Sequence, residues 1–428
     1  MTETTCPVFR PTEEEFSDFR EYLKKIDPVA GPVGLCKIIP PAGWAESRRG
    51  RAADLAKSIE LHTPVKQCVS GSKGVYSVHL VESAGMSLEE FEQRARSKDH
   101  PNGDDGGQEG LEARVRAFWR GLGPLMEAPM YGADSVGTLF DQEDETSWNV
   151  GRLDTILQLV RSSLPGITTP MLYAGMWRSM FAFHVEDMNL YSINYLHTGA
   201  AKSWYSIPPR EASRFEAMAQ GYFPAEFRDC PEFMRHKTTM ISPKCLKDAG
   251  IRFTTCVQRA GEFMVTFPRS YHGGFNHGFN VAEATNFALD RWLREGRRAG
   301  YCRCRPYSVR IDLHRVEILA RRHRRLAGPS ATCLDGLPEP NASQGAKTPE
   351  PAAAPKNLEE RSSMDSPRAA AAGAEGNNKS GQGEAAAAAV VVVARKDRRG
   401  DTPVQAVAEP GAAAAAQPKT TAAGASLD

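Results

Sequence analysis

The sequence of 428 residues contains no apolar run as long as a transmembrane helix, and it does not open with a signal peptide. We therefore expect neither a membrane protein nor a secreted precursor. Its nine cysteines are odd in number and scattered along a long chain, which is not the pattern of a disulfide framework. Their distribution favours a reducing intracellular compartment, and the composition indicates no membrane partner.

The chain also lacks an excess of either charge, since its formal net charge is +1, but this balance hides a local asymmetry. Residues 291–326 are strongly basic and end in Arg321-Arg-His-Arg-Arg. Ile311, Val316 and Ala320 indicate a helix within this segment. One interpretation is a solvated helix face, and the other is a nuclear-import or DNA-facing patch. The sequence favours neither.

Aromatic residues are missing after about residue 327, where Ala, Pro, Gly and Ser dominate and residues 385–393 form a run of Ala and Val. This segment has too little varied apolar surface to build a core. We therefore predict that residues 327–428 are a disordered tail.

The most informative stretch is residues 181–199, in which His184 and Glu186 lie two residues apart among apolar neighbours. If the backbone is extended, alternation places both side chains on one face. An imidazole and a carboxylate are two of the three ligands of a 2-His-1-carboxylate facial triad, which holds Fe(II) and leaves positions open. The alternative is a strand with two polar residues facing solvent. The apolar flanks argue against it, because burying both groups without a partner would be costly.

The third ligand should come from a distant strand. Residues 261–268 indicate a strand that ends at Pro268, and His272 and His277 follow it. We favour His272, because it lies nearest the strand end and Gly273 and Gly274 would allow the backbone to pack closely around it. His277 is then a supporting or structural histidine.

A second metal signal is a Cys-x5-His pair with a distant Cys-x-Cys pair. Such donors suit a tetrahedral structural zinc ion. No spacing among them is diagnostic by itself, and ordinary buried thiols and surface residues are the alternative. The four residues are Cys230, His236, Cys302 and Cys304.

Residues 181–199, 202–205 and 261–280 resemble, in the same order, the JmjC domain of the JmjN/JmjC histone lysine demethylases. The resemblance covers roughly the first three quarters of the chain. It implies that His184, Glu186 and His272 are the iron ligands, and that the Cys/His set above closes the family's zinc site. The implied fold is mainly β with flanking helices, around a double-stranded β-helix of the jelly-roll or cupin type. Alternating short apolar runs and Gly/Pro turns agree with a jelly-roll.

The same resemblance divides the chain. Near the N-terminus, Thr12 and Glu15 have the form of a capping box that begins an amphipathic helix, and residues 34–39 indicate a strand stopped by prolines. The expected segments are a JmjN domain at 6–50, a mixed α/β region packing on the core at 51–135, a JmjC catalytic domain with the zinc site at 136–304, a basic helical segment at 305–326, and the tail.

Binding residues follow from the family as well. The cosubstrate 2-oxoglutarate needs a cation for its distal carboxylate, since a carboxylate cannot be buried unpaired. The resemblance implies cosubstrate binding by Tyr131, Asn194 and Lys202. It implies substrate binding by Tyr173, Ala284, Thr285 and Asn286.

The sequence departs from the family pattern at three positions of the substrate pocket. Met171 replaces a tyrosine, Ala174 replaces a phenylalanine at the expected floor of the pocket, and Thr198 replaces another phenylalanine. These changes put the rate and the range of substrates in doubt, but not the fold.

The resemblance therefore implies a nuclear dioxygenase that uses Fe(II) and 2-oxoglutarate and carries a structural Zn(II). Its expected substrate is di- or trimethyl-lysine on the histone H3 tail, at lysine 9 by likeness to the short D-type members without chromatin-reading modules. N-methyl hydroxylation would release formaldehyde, and residues 291–326 would contact nucleosomal DNA. The alternatives are a protein hydroxylase of the same oxygenase class and a catalytically impaired chromatin-binding paralogue.

Overall fold

Antiparallel strands dominate the computed structural model, which describes residues 2–98, 107–141, 143–160, 164–304 and 308–327. The predicted disordered tail lies outside the described residues, apart from Ala327. All described residues belong to one compact unit. None of the eight cysteines in these ranges forms a disulfide.

Seventeen strands occur in the described ranges. They are β1 (Glu3–Thr5), β2 (Val8–Phe9), β3 (Leu35–Ile38), β4 (Glu60–Leu61), β5 (Val65–Ser72), β6 (Val75–Glu82), β7 (Met86–Ser87), β8 (Met130–Val136), β9 (Met171–Gly175), β10 (Met180–His184), β11 (Tyr191–Gly199), β12 (Lys202–Ile207), β13 (Thr239–Ile241), β14 (Phe253–Gln258), β15 (Phe263–Thr266), β16 (Tyr271–Asn276) and β17 (Asn280–Phe287).

Helices flank these strands. They are α1 (Glu13–Phe16), α2 (Phe19–Ala30), α3 (Trp44–Ala56), α4 (Leu88–Arg96), α5 (Gly107–Gly121), α6 (Ala212–Tyr222), α7 (Pro224–Asp229), α8 (Pro243–Asp248), α9 (Trp292–Gly296) and α10 (Leu313–Ala327). Among the helices of the described ranges, none is long and apolar enough to cross a bilayer.

Fifteen of the described strands form one hydrogen-bonded series, in the order β1-β14-β12-β16-β10-β13-β6-β5-β8-β9-β17-β11-β15-β3-β2. The two ends of the series fold over each other, because Trp204 of β12 packs with Leu35 of β3 and Met264 of β15 in one buried cluster. This arrangement confirms the predicted jelly-roll with flanking helices.

The outermost strands of the series are neighbours in sequence. β1 pairs parallel with β14, β2 pairs parallel with β3, and only Cys6 and Pro7 separate the two strands. The N-terminal segment therefore joins the two sheets of the jelly-roll at one edge.

The N-terminal prediction is confirmed in its main features. Thr12 and Glu15 form a capping box, and β3 ends two residues before Pro40. The predicted single helix is divided in two, because Asp18 accepts a hydrogen bond from the Glu21 amide and so caps a second helix.

The region at 51–135, which was predicted as a mixed α/β region, contains a hairpin that connects the two sheets. β5 and β6 meet at Lys73 and Gly74, which both have positive φ as a tight hairpin turn requires. β6 also pairs with β13 and β5 with β8, so the hairpin continues the strand series.

The helix predicted in the basic segment is α10. Val316 is buried in a cluster that covers one sheet, together with Trp148 and Trp292, and Ala320 one turn further along is buried as well. The apolar face of α10 therefore packs on the core.

Candidate metal centres and active site

The triad candidates meet where β10 and β16 pair. His184 is the last residue of β10 and lies opposite His272 in the antiparallel register, with the two ring centroids 4.3 Å apart. Each Nδ1 lies within hydrogen-bond distance of a backbone carbonyl, at 2.7 Å from Ala182 O and 3.1 Å from Ser270 O. These bonds orient both rings and turn both Nε2 atoms toward the same point.

Glu186 completes the cluster from just beyond the strand, in an extended conformation. Its Oε1 lies 3.2 Å from His272 Nε2 and 3.8 Å from His184 Nε2. The three donor atoms lie within 4.8 Å of one another. The structure thus brings the three predicted iron ligands together, although Glu186 follows β10 and is not part of it.

The electrostatics of the cluster suit a cation. Burial and the neighbouring His272 lower the pKa of His184 to about 4. Burial alone would raise the pKa of Glu186, but its bonds to the two imidazoles hold that pKa well below the usual range. A neutral His184 imidazole and an ionised Glu186 carboxylate are the forms that bind a divalent metal.

The turn after Glu186 is strained. Met188 and Asn189 have φ values of 53° and 52°, a region that residues with a side chain rarely adopt. Such residues cost on the order of 1–3 kcal/mol each and persist where their surroundings fix them. The Trp292 indole donates to Met188 O at 2.9 Å and thereby holds the turn.

Two glycines allow the close packing around His272. A Cβ built on Gly274 would lie 1.9 Å from Ser203 O, and one on Gly273 would lie 3.0 Å from the Phe183 amide nitrogen. The reason given from sequence for favouring His272 therefore matches the geometry. His277 is not in the triad cluster, and its Nε2 lies 2.7 Å from Ser203 Oγ.

The four zinc candidates also converge. The sulfurs of Cys302 and Cys304 are 3.0 Å apart, Cys230 Sγ lies 3.6 Å from Cys302 Sγ, and His236 Nε2 lies 3.2 Å from both Cys302 and Cys304 Sγ. Ligand atoms about 2.3 Å from a tetrahedral zinc ion would be about 3.8 Å apart. The donor set and its closed arrangement therefore fit zinc.

Lys202 of β12 is a buried lysine near the triad cluster. Its side chain is almost inaccessible, with 1% exposure for the residue, and its Nζ donates to Asn276 Oδ1 at 2.6 Å. Burial lowers its pKa to about 7. Within the described part of the chain, no carboxylate lies in ion-pair range of this ammonium. Lys202 of β12 pairs with Asn276 of β16. Asn276 lies four residues after His272, so the side chains of Lys202 and Asn276 point to the same face of the sheet as His272, which we call the inner face.

Tyr131 and Asn194 complete the predicted cosubstrate set. The Tyr131 hydroxyl bonds Asn276, and burial raises its pKa. Asn194 Oδ1 accepts a hydrogen bond from Gln258 Nε2 at 3.1 Å, which leaves the amide NH2 group of Asn194 to donate.

The chain is similar to known proteins across this whole region. The family model of the JmjC domain, described as a hydroxylase, matches residues 171–287, and that of the jmjN domain matches residues 7–40. The chain therefore contains a jmjN domain followed by a JmjC domain.

Three curated relatives carry demethylase names. The chain is 43% identical over 312 residues to lysine-specific demethylase 4B of Mus musculus, which covers 71% of the chain and 28% of the relative. It is 43% identical over 325 residues to lysine-specific demethylase 4D of Rattus norvegicus, with 73% and 62% covered. It is 42% identical over 317 residues to probable lysine-specific demethylase 4F of Homo sapiens, with 73% and 48% covered. The chain thus spans less than two thirds of each relative.

The substrate residues implied by the JmjN/JmjC family lie mainly on one face of two paired strands. Tyr173 of β9 and Ala284 of β17 alternate onto the inner face, as does Asn286. The Tyr173 hydroxyl donates to Asp134 Oδ1 at 3.0 Å, and the Asn286 amide donates to Tyr191 O at 3.0 Å.

Thr285 is the exception. Alternation along β17 turns its side chain to the opposite face, where its hydroxyl bonds Ile167 O at 3.4 Å. The structure therefore does not place Thr285 with the other substrate candidates. Neighbouring strand residues cannot share a face, and the resemblance alone had grouped them.

The three departures from the family pattern differ in position. Met171 is half-buried and lies on the inner face with Tyr173, opposite Ala284 in the register. Ala174 is buried on the other face in a cluster with Leu172, so it is not a floor of the pocket as expected. Thr198 is exposed near the end of β11.

Two polar residues around these sites were missed from the sequence. Asn276 bonds both Lys202 and Tyr131, and its own amide donates to Ser179 Oγ at 2.8 Å. Its even spacing from His272 could have indicated it. Arg235, which directly precedes His236, contacts the turn after Glu186, and no local pattern distinguishes it from a surface arginine.

Proposed function

We propose that the chain is an Fe(II)- and 2-oxoglutarate-dependent dioxygenase that demethylates di- and trimethyl-lysine on histone H3. The observation that carries the proposal is a pairing of two features on one inner surface. The His184–Glu186–His272 cluster offers a cation site with convergent donors, and Lys202 offers a buried ammonium without a carboxylate in the described chain. A metal ion would bind the triad cluster, and a carboxylate of a dianionic cosubstrate would pair with the ammonium of Lys202.

The residues divide the work as follows. His184, Glu186 and His272 would hold Fe(II), which when bound with 2-oxoglutarate and O2 supplies the oxidising power to hydroxylate an N-methyl group. Lys202 and Tyr131 would bind the distal carboxylate of 2-oxoglutarate, because Asn276 hydrogen-bonds both side chains and so holds their polar atoms close together. The Asn194 amide would donate to the cosubstrate. Cys230, His236, Cys302 and Cys304 would hold a structural Zn(II).

The methylated ammonium would be oriented by weak bonds from its polarised C–H groups to oxygen atoms. Tyr173, Asn286 and Glu186 bring such oxygens to the inner face, and Ala284 leaves room beside them. The hydroxylated methyl group then leaves as formaldehyde. Since hydroxylation needs no lone pair on the nitrogen, trimethyl-lysine is an allowed substrate.

The names of the curated relatives support lysine demethylation, and demethylation of a histone would require a nuclear location. Likeness to short D-type members points to lysine 9 of histone H3. We further propose that residues 291–326 contact nucleosomal DNA, because Arg315, Arg321, Arg322 and Arg325 of α10 are exposed while Val316 and Ala320 are buried.

The deciding experiment is mass spectrometry of trimethylated histone H3 peptides incubated with the full chain, Fe(II), 2-oxoglutarate and ascorbate. We expect stepwise loss of methyl groups with matching formaldehyde and succinate. His184→Ala and Glu186→Ala should abolish 2-oxoglutarate turnover in a folded, zinc-bound protein. His79→Ala, an exposed histidine of the hairpin, is the matched control and should retain full activity.

Other results would favour the two alternatives. Addition of oxygen to a peptide without formaldehyde release would indicate a protein hydroxylase. Absence of any 2-oxoglutarate turnover would indicate the impaired chromatin-binding paralogue. The observation that favours this alternative is Met171, which replaces a tyrosine of the family in the substrate pocket. Full activity of either triad variant would refute the iron site.

A further inference from the structure

Arg235 joins the two metal-ligand clusters. It precedes the zinc candidate His236 in the 3-10 helix Phe233–His236. Its Nη1 donates to the Glu186 carbonyl oxygen at 2.9 Å, and its Nη2 donates to Asn189 Oδ1 at 3.1 Å. One side chain therefore runs from the zinc-ligand segment to the backbone of the carboxylate ligand of the triad.

The guanidinium is held in a fixed orientation. The side chain of Arg235 is 7% exposed, and its Nε bonds Glu232 Oε2 at 2.7 Å. Glu232 lies between Cys230 and His236, so the zinc-ligand segment itself sets the angle of the guanidinium. A planar fork with several fixed donors cannot be replaced by the single ammonium of lysine.

The contacted turn needs such support. Met188 and Asn189 both have positive φ, and strained residues of this kind persist only where the surrounding structure fixes them. The side chains of Arg235 and Trp292 both hydrogen-bond this turn. Trp292 belongs to α9, the helix that precedes Cys302. Both supports therefore come from segments that the Cys/His cluster ties together.

We propose that Arg235 is a positioning residue that couples the zinc cluster to the iron triad. With the four Cys/His ligands closed on a metal, Arg235 fixes the Glu186 backbone, and the carboxylate stays aligned with the two histidines. When the cluster opens, the turn relaxes and the triad loses affinity for its metal. The inference rests on the proposed function, since it takes both clusters as metal sites.

The first test measures binding of Mn(II), a probe that is not oxidised by air, to zinc-loaded full chain in the presence of 2-oxoglutarate by calorimetry. Arg235→Lys should weaken Mn(II) binding by about 10- to 100-fold, the range for residues that orient metal ligands. Its zinc content should stay at the wild-type value, and the electron paramagnetic resonance spectrum of the bound Mn(II) should change. Arg228→Lys, at an arginine whose side chain is 79% exposed in the same region, is the matched control and should bind as the wild type does.

The second test asks whether the coupling runs through Arg235. Cys304→Ser removes the exposed ligand of the cluster and should weaken Mn(II) binding in the wild-type background. In the Arg235→Lys background the same change should add little, because the connection is already broken. Fully additive losses would overturn the coupling.

The outcomes separate this inference from the proposed function. If the wild-type chain binds no Mn(II) with 2-oxoglutarate, the proposed function fails and the coupling fails with it. If the wild type binds Mn(II) and Arg235→Lys binds it equally well, only the coupling is refuted. If circular dichroism shows that Cys304→Ser is unfolded, Mn(II) binding by Arg235→Lys is sufficient to support or refute the coupling.

Discussion

The ammonium of Lys202 is out of contact with water and, within the described chain, out of ion-pair range of any carboxylate. Burial lowers its pKa from 10.5 to about 7, so the folded protein without ligand prefers the neutral amine more than the unfolded chain does. The unfolded chain binds more protons between these two values. Stability of the ligand-free protein should therefore rise as the pH increases through that window.

An anion bound at Lys202 would reverse this preference, and our first prediction follows. Binding of 2-oxoglutarate should take up a proton above about pH 7, so its apparent Kd should rise with pH, by at most about tenfold per pH unit. Calorimetry with Mn(II) between about pH 7 and 9 measures this slope. Lys202→Met should remove both the binding and the slope, and Lys57→Met, at an exposed lysine, should change neither. A Kd independent of pH would show that the ammonium does not bind the cosubstrate.

The second prediction concerns Met171, which lies on the inner face beside Tyr173. Met171→Tyr would restore an oxygen near the methylammonium. One weak C–H···O bond contributes about 0.5–1 kcal/mol, which corresponds to a gain of roughly two- to fivefold in demethylation. Turnover of 2-oxoglutarate without peptide should not change.

Two outcomes would contradict that prediction. Lower activity together with a lower Tm would mean that the phenol overpacks its site, since the Met171 sulfur would lie 3.4 Å from a Cβ built on Gly166. Unchanged demethylation at unchanged Tm would mean that position 171 does not touch the substrate.

At the scale of single residues, the sequence predicted the site residues that have a local spacing pattern, and it missed those whose role depends on partners from distant strands. The His-x-Glu spacing brought two triad candidates together, and glycines beside His272 marked the third. Asn276 was missed because its partners Lys202 and Tyr131 lie on other strands. Thr285 was misplaced because a family resemblance gives positions in a motif but not the face of a strand.

Among the elements, β16 carries the tightest constraint, and the third prediction tests it. Gly274→Ala would force a Cβ against Ser203 O across the β12–β16 pair, so we expect a loss of about 1–3 kcal/mol in the free energy of unfolding. Urea denaturation measures it. Gly221→Ala makes the same chemical change in α6 where no atom lies within 4 Å, and it should be neutral or stabilise by up to about 1 kcal/mol. Equal effects of the two substitutions would refute the packing argument.

The elements also differ in how visible they were in the sequence. The capping box of α1 and the prolines after β3 are local signals, and both predictions are confirmed. The β5–β6 hairpin has a clear turn at Lys73 and Gly74 but little apolar alternation, because long stretches of both strands face solvent. Its role between two sheets depends on pairing with β13 and β8, which no pattern within residues 65–82 encodes.

At the scale of the whole molecule, the Cys/His cluster should contribute to stability. A closed structural zinc site adds folding energy directly, so Cys302→Ser should lower the Tm by more than about 4 °C, given about 2–4 °C per kcal/mol for a large domain. Cys68→Ser, at an exposed cysteine, is the control and should leave the Tm and the zinc content unchanged. Elemental analysis of the wild-type chain that finds no zinc would refute the site.

β1 and β2 join the edges of the two sheets, and this arrangement has a consequence for folding during synthesis. Residues 3–5 are synthesised about 250 residues before their partners 253–255, so β1 must wait for nearly the whole core before it can pair. Contacts this distant in sequence form slowly, because the loop that they close is long. Until then the edge of β14 offers unpaired backbone groups to other chains. We expect the nascent protein to depend on chaperones late in synthesis, when β14 is present and its edge is still open.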